Sequence, residues 1–505
     1  MHLLHERFSK KIVGVYSCFD RVVITGTIPE ICYAKGMTRF LHQNQIPIFD
    51  YTKFAEQRRD EIRTNAEMLA QENGLEIDFI RKNNFRKEAR VKEIVEKRGS
   101  HPGLVHIFSA MEACKSYRPW HDKKTHLTYI KPSNSKCLHY YFYYIDEYFG
   151  LCYVRVPTWC PFRLQIYFNG HNLLANQLRK NNIGFKMLDN AFIKIEDFSR
   201  AQELANSFSI SQIHKNLDYF AKKFCPVINR FQQSYHWSIM QAEYATDIVF
   251  KRQSDLKPIY ENISRTAIHA VKADNIATFL GRKLHGNYQD EMGNNFSTRI
   301  EGTRIKHCMG KVSIKMYDKF SLVLRIETTV NDVSFFKHYR TVEHRDGTVS
   351  TKLANMKKSI YSLRPLGVIL EKSNMRYIEF ISAIDDRSAE MNNLNRMSRR
   401  IVKDNRPYAG FNMFSKEDQE LFEAFVSGEF NICGFQNKNL CQKMKDKSSS
   451  QVSRIIKRLR VHGLIKKIPR SYRYYLTKLG KAVSILGLKL KDMVVIPALN
   501  LSKVV

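Results

Sequence analysis

Between residues 125 and 200 the chain carries four short runs dense in aromatic and β-branched side chains: HLTYIK, KCLHYYFYYID, GLCYVRVPTW and FRLQIYFNG. Such residues crowd a helix but pack well on a pleated surface, so these runs impose a sheet on whatever fold contains them. A helix-patterned stretch, HNLLANQLRKNN, and a strand–helix pair, NAFIKIEDFSRAQELANSF, follow. Short links between strands favour antiparallel neighbours, and the succession reads as a sheet covered by helices. An open face of that sheet would offer Tyr141, Tyr143, Tyr153 and Tyr167 as stacking platforms for single-stranded nucleic acid. Alternate aromatics in a strand are more commonly core.

Around this sheet the pattern changes period. Residues 11–28, KIVGVYSCFDRVVITGTI, read as a hairpin turning at Phe19-Asp20-Arg21. Residues 35–99 place apolar side chains at three- and four-residue steps and read as helices ending at Gly74 and Gly99. The segment 211–280 also reads as helical, with HWSIMQAEYATDIVF its most patterned part. The domain organisation expected is 1–120 (hairpin plus basic helices), 121–210 (aromatic-rich layer), 211–405 (helices and a central β region), 410–490 and a tail, 491–505.

The 82 Lys and Arg against 49 Asp and Glu leave a formal charge of +33 on 505 residues. Hydrophobic residues at 43% exclude a disordered basic tail protein, so the charge sits on folded surface and nucleic acid is the expected partner. No apolar run approaches the ~20 residues that span a bilayer, and MHLLHERFSKK has no signal-peptide core. No membrane partner and a cytoplasmic location are therefore expected. The ten cysteines form no CxxC pair, which fits reduced thiols rather than a zinc site.

The candidate chemistry lies in TRIKHCMGKVSIKMYDKFSLVLRIETTVN, residues 303–331, which reads as three strands joined at Gly310-Lys311 and at Lys319-Phe320-Ser321. Alternation puts Lys315, Tyr317 and Lys319 on one face, with Met316 and Asp318 on the other; Arg325 and Glu327 oppose Leu324 and Ile326. Neighbouring strands would then bring Asp318 and Glu327 towards His307, a ligand set for a divalent cation, Mg²⁺ or Mn²⁺. Lys315 and Arg325 would face the phosphate of a nucleic acid. A plain cross-strand ion-pair ladder uses the same residue types.

The pair IKMYDK…LRIETT resembles the Y-D-K…R-x-E strand pair of replication initiators from rolling-circle plasmids and filamentous phages. That resemblance implies a metal-dependent nickase with a tyrosine nucleophile and with Asp318 and Glu327 at the metal. Tyr339, twelve residues after Glu327, is the candidate nucleophile by position, and Tyr317 the second. No His-hydrophobic-His strand is present, so the histidine pair of the wider nickase superfamily has no counterpart.

Residues 410–490 give the clearest module. FSKEDQELFEAFVSGEF, NKNLCQKM and SSSQVSRIIKRLRVHGLI read as three helices, the first capped by Ser415, and KKIPRSYRYYLTKLG as a basic hairpin before a final helix. That order is a winged helix. Between Arg454 and Lys481 ten Lys and Arg occur with no acid, and Arg454, Lys457, Arg458, Arg460, Lys466, Lys467, Arg470 and Arg473 are the candidate nucleic-acid contacts. The module resembles those of MarR-type regulators. Through FDRVVITGT, KCLHYYFYYID, RVPTWCPF, YFNG, QAEYATDIVF, IKMYDK and LRIETT the whole chain is similar to a group of long bacterial proteins carrying such a module; their scattered, multicopy character implies mobile elements. Winged helices commonly pair, so a homodimer is one expectation.

Three functions fit. One is a DNA-processing enzyme of a mobile element, either a nickase and replication initiator or a transposase, targeted by the winged helix. The second is a non-catalytic DNA- or RNA-binding protein. The third is an RNase-H-like metal nuclease using Asp20 with Glu243 or Asp247 as a later carboxylate, the last two read as four apart on one helix face. The first is the expectation, on an α+β fold: an antiparallel β-sheet core with helical insertions plus the C-terminal winged-helix domain. About 400 residues ahead of that domain exceed what a plain regulator requires.

Overall fold

The structure is a computed structural model, described for residues 2–82, 84–282, 292–299, 302–384, 397–426, 430, 434–469 and 471–490. It mixes helix and strand around one large mixed sheet. In chain order the strands are β1 (Ile12–Thr27), β2 (Ile77–Phe79), β3 (Gly103–Asp122), β4 (Leu127–Asp146), β5 (Gly150–Pro157), β6 (Leu164–Asn169), β7 (Phe185–Leu188), β8 (Ala191–Ile195), β9 (His236–Phe250), β10 (Met292–Arg299), β11 (Gly302–Met309), β12 (Val312–Lys319) and β13 (Val323–Val330). The sheet order is β10-β11-β12-β13-β9-β1-β6-β5-β4-β3-β2. β2 runs parallel to β3, while β3 to β6 are mutually antiparallel and β6 is antiparallel to β1.

The chain divides into two compact units. The larger holds Tyr16–Ala245 and Thr329–Val368. Here the aromatic runs form β4 to β6 as the side-chain alternation predicts, with HLTYIK and KCLHYYFYYID fused into the single strand β4. Helices α2 (Ala34–Gln43), α3 (Tyr51–Glu72), α4 (Lys87–Arg98), α5 (Gly170–Lys180), α6 (Phe198–Asn206) and α7 (Ile210–Phe224) belong to this unit, α1 being His2–Phe8. Phe142 stacks on Phe224 of α7 with ring centroids 4.6 Å apart, both fully buried, each ring contributing about 1.5–3 kcal/mol. Gly74 and Gly99 stand at the ends of α3 and α4 with positive φ, a conformation that lets the chain leave a helix without a Cβ clash.

Two readings of this part are corrected. Residues 11–28 contain one sixteen-residue strand, β1, and Asp20 lies buried inside it rather than in a turn. HWSIMQAEYATDIVF is strand β9, not helix. Every residue from Tyr244 to Phe250 is buried, so the strand is covered on both faces and lacks the alternation that announces a half-exposed one. Its Met, Gln, Ala and Glu favour helix, but their weak preference yields to packing in the sheet.

The smaller unit holds Met1–Val15, Thr246–Thr328 and Ile369–Val505. β11, β12 and β13 match the three strands expected between 303 and 331, and Phe320 and Ser321 form a two-residue turn with both φ positive. Helices α8 (Gln253–Ala270), α9 (Ala273–Phe279) and α10 (Leu363–Ile384) follow in sequence, α10 beginning in the larger unit. β14 (Lys337–Glu343) and β15 (Val349–Asn355) form a separate ribbon in the larger unit, and β16 (Ile401–Lys403) pairs with β17 (Arg406–Tyr408).

The C-terminal residues form α11 (Lys416–Val426), α12 (Asn437–Lys443), α13 (Ser449–Val461), the hairpin β18 (Ile465–Lys467) and β19 (Tyr474–Leu476), and α14 (Lys478–Leu490) around a core of Phe422, Phe425, Leu440, Ile456 and Leu459. Ser415 caps α11, its hydroxyl accepting from the Asp418 amide at 3.2 Å, and Ser448 caps α13 in a reciprocal box with Gln451. The tail 491–505 lies outside the described residues. Among the described residues no helix is long and apolar enough to cross a membrane.

Candidate functional site

Asp20 of β1, Glu243 of β9 and Glu327 of β13 each offer a carboxylate oxygen, and these atoms all lie within 4.8 Å of one another. The three strands are neighbours in the sheet order. Asp20 and Glu327 are buried and Glu243 is half-buried. Like charges confined this closely repel, and burial amplifies the repulsion; a cation among them relieves it. The donor set fits a hard divalent ion, which takes oxygen ligands of this kind. The triad could therefore hold a metal ion. Among the described residues no other group of three His, Cys, Asp or Glu side chains comes together in this way.

Each carboxylate is held by neighbours. Asp20 Oδ1 accepts from Asn190 Nδ2 at 2.6 Å and Asn169 Nδ2 at 3.3 Å, and His171 Nδ1, fully buried, lies 3.0 Å from it. Asn169 also caps α5 by accepting from the His171 amide at 2.8 Å, so the cap fixes two of the groups around Asp20. Glu327, only 2% exposed, accepts from Lys315 Nζ at 2.6 Å on Oε1 and from the Tyr317 hydroxyl at 2.7 Å on Oε2. Glu243 Oε1 accepts from the Thr329 hydroxyl at 3.4 Å. Ligands oriented by such partners lose little freedom when a cation binds.

No family model matches the chain, and no curated protein or solved structure matches it.

The triad joins one residue of the initiator-like segment, Glu327, to two of the RNase-H-like set, Asp20 and Glu243. Asp247, the third of that set, is instead locked to Arg325: Nε to Oδ1 and Nη2 to Oδ2 both measure 2.6 Å, with neither side chain exposed. Arg325 therefore faces a carboxylate in the core, not a substrate phosphate. The grouping of His307, Asp318 and Glu327 does not form. His307 is buried between Asn294 Oδ1 at 2.6 Å and the Tyr377 hydroxyl at 3.1 Å, and burial lowers its pKa to about 4. Asp318 alternates away from the face on which Lys315 and Tyr317 reach Glu327.

Tyr339 is 75% exposed on β14, in the two-stranded ribbon, while Tyr317 touches Glu327 directly. Tyr141 and Tyr143 are buried against Val91 of α4, the core outcome, whereas Tyr153 and Tyr167 stay half-buried.

In the C-terminal module Arg454, Lys457, Arg460, Lys466, Lys467 and Arg473 are exposed. Arg458 is not available in the same sense. It pairs with Asp418 at 2.9 and 3.0 Å, donates to the Ala409 and Gly410 carbonyls, and stacks 3.9 Å over the Phe411 ring. Arg470 lies outside the described residues. Sequence reasoning missed the residues that position the triad: Asn169, His171 and Asn190. The one local signal was Asn169 preceding a helix, an ordinary cap.

Proposed function

We propose that the chain is a metal-dependent enzyme that cleaves or transfers nucleic-acid phosphodiesters, acting on DNA with Mg²⁺ or Mn²⁺ held by Asp20, Glu243 and Glu327. The observation that carries this reading is the convergence of three carboxylates from separate strands. A cation bound there supplies charge stabilisation at phosphorus and a more acidic water. The chain's own groups do the rest. Asn190, Asn169 and His171 hold the Asp20 carboxylate in place. Lys315 balances part of the negative charge through Glu327. Mobile-element processing follows from the resemblance, and DNA targeting from reading residues 410–490 as a winged helix whose exposed cations face the phosphate backbone.

A second reading is favoured by one contact. The Tyr317 hydroxyl donates to Glu327 at 2.7 Å, an arrangement in which the carboxylate could accept the phenolic proton as the oxygen attacks phosphorus. In that case a phosphotyrosyl bond forms and the displaced sugar oxygen leaves with a proton. Labelled supercoiled and single-stranded DNA, incubated with the full chain and Mn²⁺ or Mg²⁺, separates the two. Cation-dependent cleavage with no protein-linked DNA supports the carboxylate mechanism; an adduct lost in Tyr317→Phe supports the tyrosine mechanism. Tight salt-sensitive binding with no cleavage overturns both.

A further inference from the structure

The sheet under α4 carries an aromatic row whose last ring, Tyr167, is linked to Asp20 through Asn169. Tyr143, Tyr153 and Tyr167 are cross-strand partners on β4, β5 and β6. Their ring centroids stand 5.3 and 5.0 Å apart, the second pair stacked at 22°. The Arg21 guanidinium lies 5.3 Å over the Tyr167 ring, and Asn169, which donates to Asp20, also interacts with the Tyr167 hydroxyl. At ~4.8 Å per strand, β4 to β1 spans about 14 Å.

Beside the row opens a recess of about 340 Å³, lined among others by Lys87, Glu112, Tyr143, Tyr153, Arg155 and Gln165. Its floor is a cluster of mutually bonded side chains. Arg155 donates to Glu112 at 2.9 and 2.6 Å, the Tyr141 hydroxyl donates to the same carboxylate at 2.6 Å, and Lys87 Nζ sits 3.5 Å from the Tyr141 ring centroid. One polar group there is unused. Tyr143 is only 3% exposed and, among the described residues, its hydroxyl meets no hydrogen-bond partner. An unsatisfied buried hydroxyl is a cost that folding alone does not explain.

We propose that this recess is a base-binding subsite: an unpaired nucleobase of a single strand crossing the Tyr167–Tyr153 row enters it, stacks on the Tyr153 ring, and meets the Tyr143 hydroxyl with its polar edge. The chemistry suits a base better than an aliphatic or purely anionic ligand. The wall is a π-surface, the rim mixes donors and acceptors, and the charges of Arg155 and Glu112 cancel. The Lys87 ammonium and Arg21 guanidinium flank the row where the strand's phosphates would run. The inference deepens the nuclease reading by naming its substrate as unpaired strand rather than closed duplex.

The test is fluorescence-anisotropy binding of short labelled oligonucleotides to the full chain in EDTA, so that binding is read without cleavage. Wild type should bind a single strand at least tenfold tighter than a duplex of the same length, and replacing successive bases with abasic sites should weaken it about tenfold at one position. Tyr143→Phe removes only the hydroxyl; it should melt no lower than wild type yet abolish the penalty at that one position. Free mononucleotide should compete only at a hundredfold or greater excess. Equal binding of abasic and intact strands, an unchanged Tyr143→Phe profile, or equal competition by mononucleotide would overturn the subsite. Base-dependent binding with no cleavage in Mn²⁺ would leave the subsite standing and remove the nuclease reading, so the two failures are distinguishable.

Discussion

Arg325 and Asp247 share two 2.6 Å hydrogen bonds in parallel, and solvent reaches neither side chain. The cost of taking both charges out of water is recovered only while both are present. Removing one, as in Asp247→Leu or Arg325→Met, should lower stability by about 3–5 kcal/mol. The paired change Asp247→Leu with Arg325→Met should recover most of that loss, about 2 kcal/mol or more. Urea denaturation of the three variants measures this. Additive losses would show that the pair is not a coupled unit.

The buried histidine of β11 sets a pH dependence. His307 is depressed to about 4 by burial, against about 6.5 in an unfolded chain. Folding favours its neutral form, so its contribution is complete above pH 6.5 and fades as the pH falls towards 4. Across that window it is on the order of 3 kcal/mol. His139, lowered to about 4 by burial and by Arg155, adds a slope of the same sign. Comparing the urea midpoints of wild type and His307→Gln at pH 7.0, 5.5 and 4.5 should show a shallower decline in the variant. Parallel declines would assign the acid sensitivity elsewhere.

Much of this fold was legible in the sequence because turn chemistry and side-chain period agreed. β11 to β13 could be placed from Gly310 and the Phe320-Ser321 turn, α4 from apolar spacing that ends at Gly99, and α5 from its helical pattern. β1 and β9 were not, because strands buried on both faces lose alternation, and Asp20 then mimics a turn former. The site followed the same divide. Glu243 and Asp247 share a face at a spacing of four in a helix and in a strand alike, so the pairing was visible while the element was misread. What no local pattern could show is that Asp20, more than two hundred residues before Glu243, meets it beside Glu327, while Asp247 turns to Arg325.

The C-terminal cations divide into two kinds. Arg454, Lys457, Arg460, Lys466 and Lys467 are exposed, so changing any two to Gln should weaken nucleic-acid binding across sequences. The slope of log K against log salt should fall by about 1 for each phosphate that is no longer neutralised. Arg458→Gln should act differently, lowering the melting temperature of the chain because it strips Asp418 and two backbone carbonyls of their partner. A salt slope unchanged in the exposed variants would place the nucleic-acid surface elsewhere.

The triad carries the proposed chemistry, and direct titration with Mn²⁺ tests it most plainly. Calorimetry on the full chain, without nucleic acid, should give saturable binding in wild type. Asp20→Asn, Glu243→Gln and Glu327→Gln should each weaken it by about tenfold or more, in line with losing one of three oxygen ligands. Binding that is absent from wild type, or unaltered in all three variants, would contradict the assignment of Asp20, Glu243 and Glu327 as a metal site.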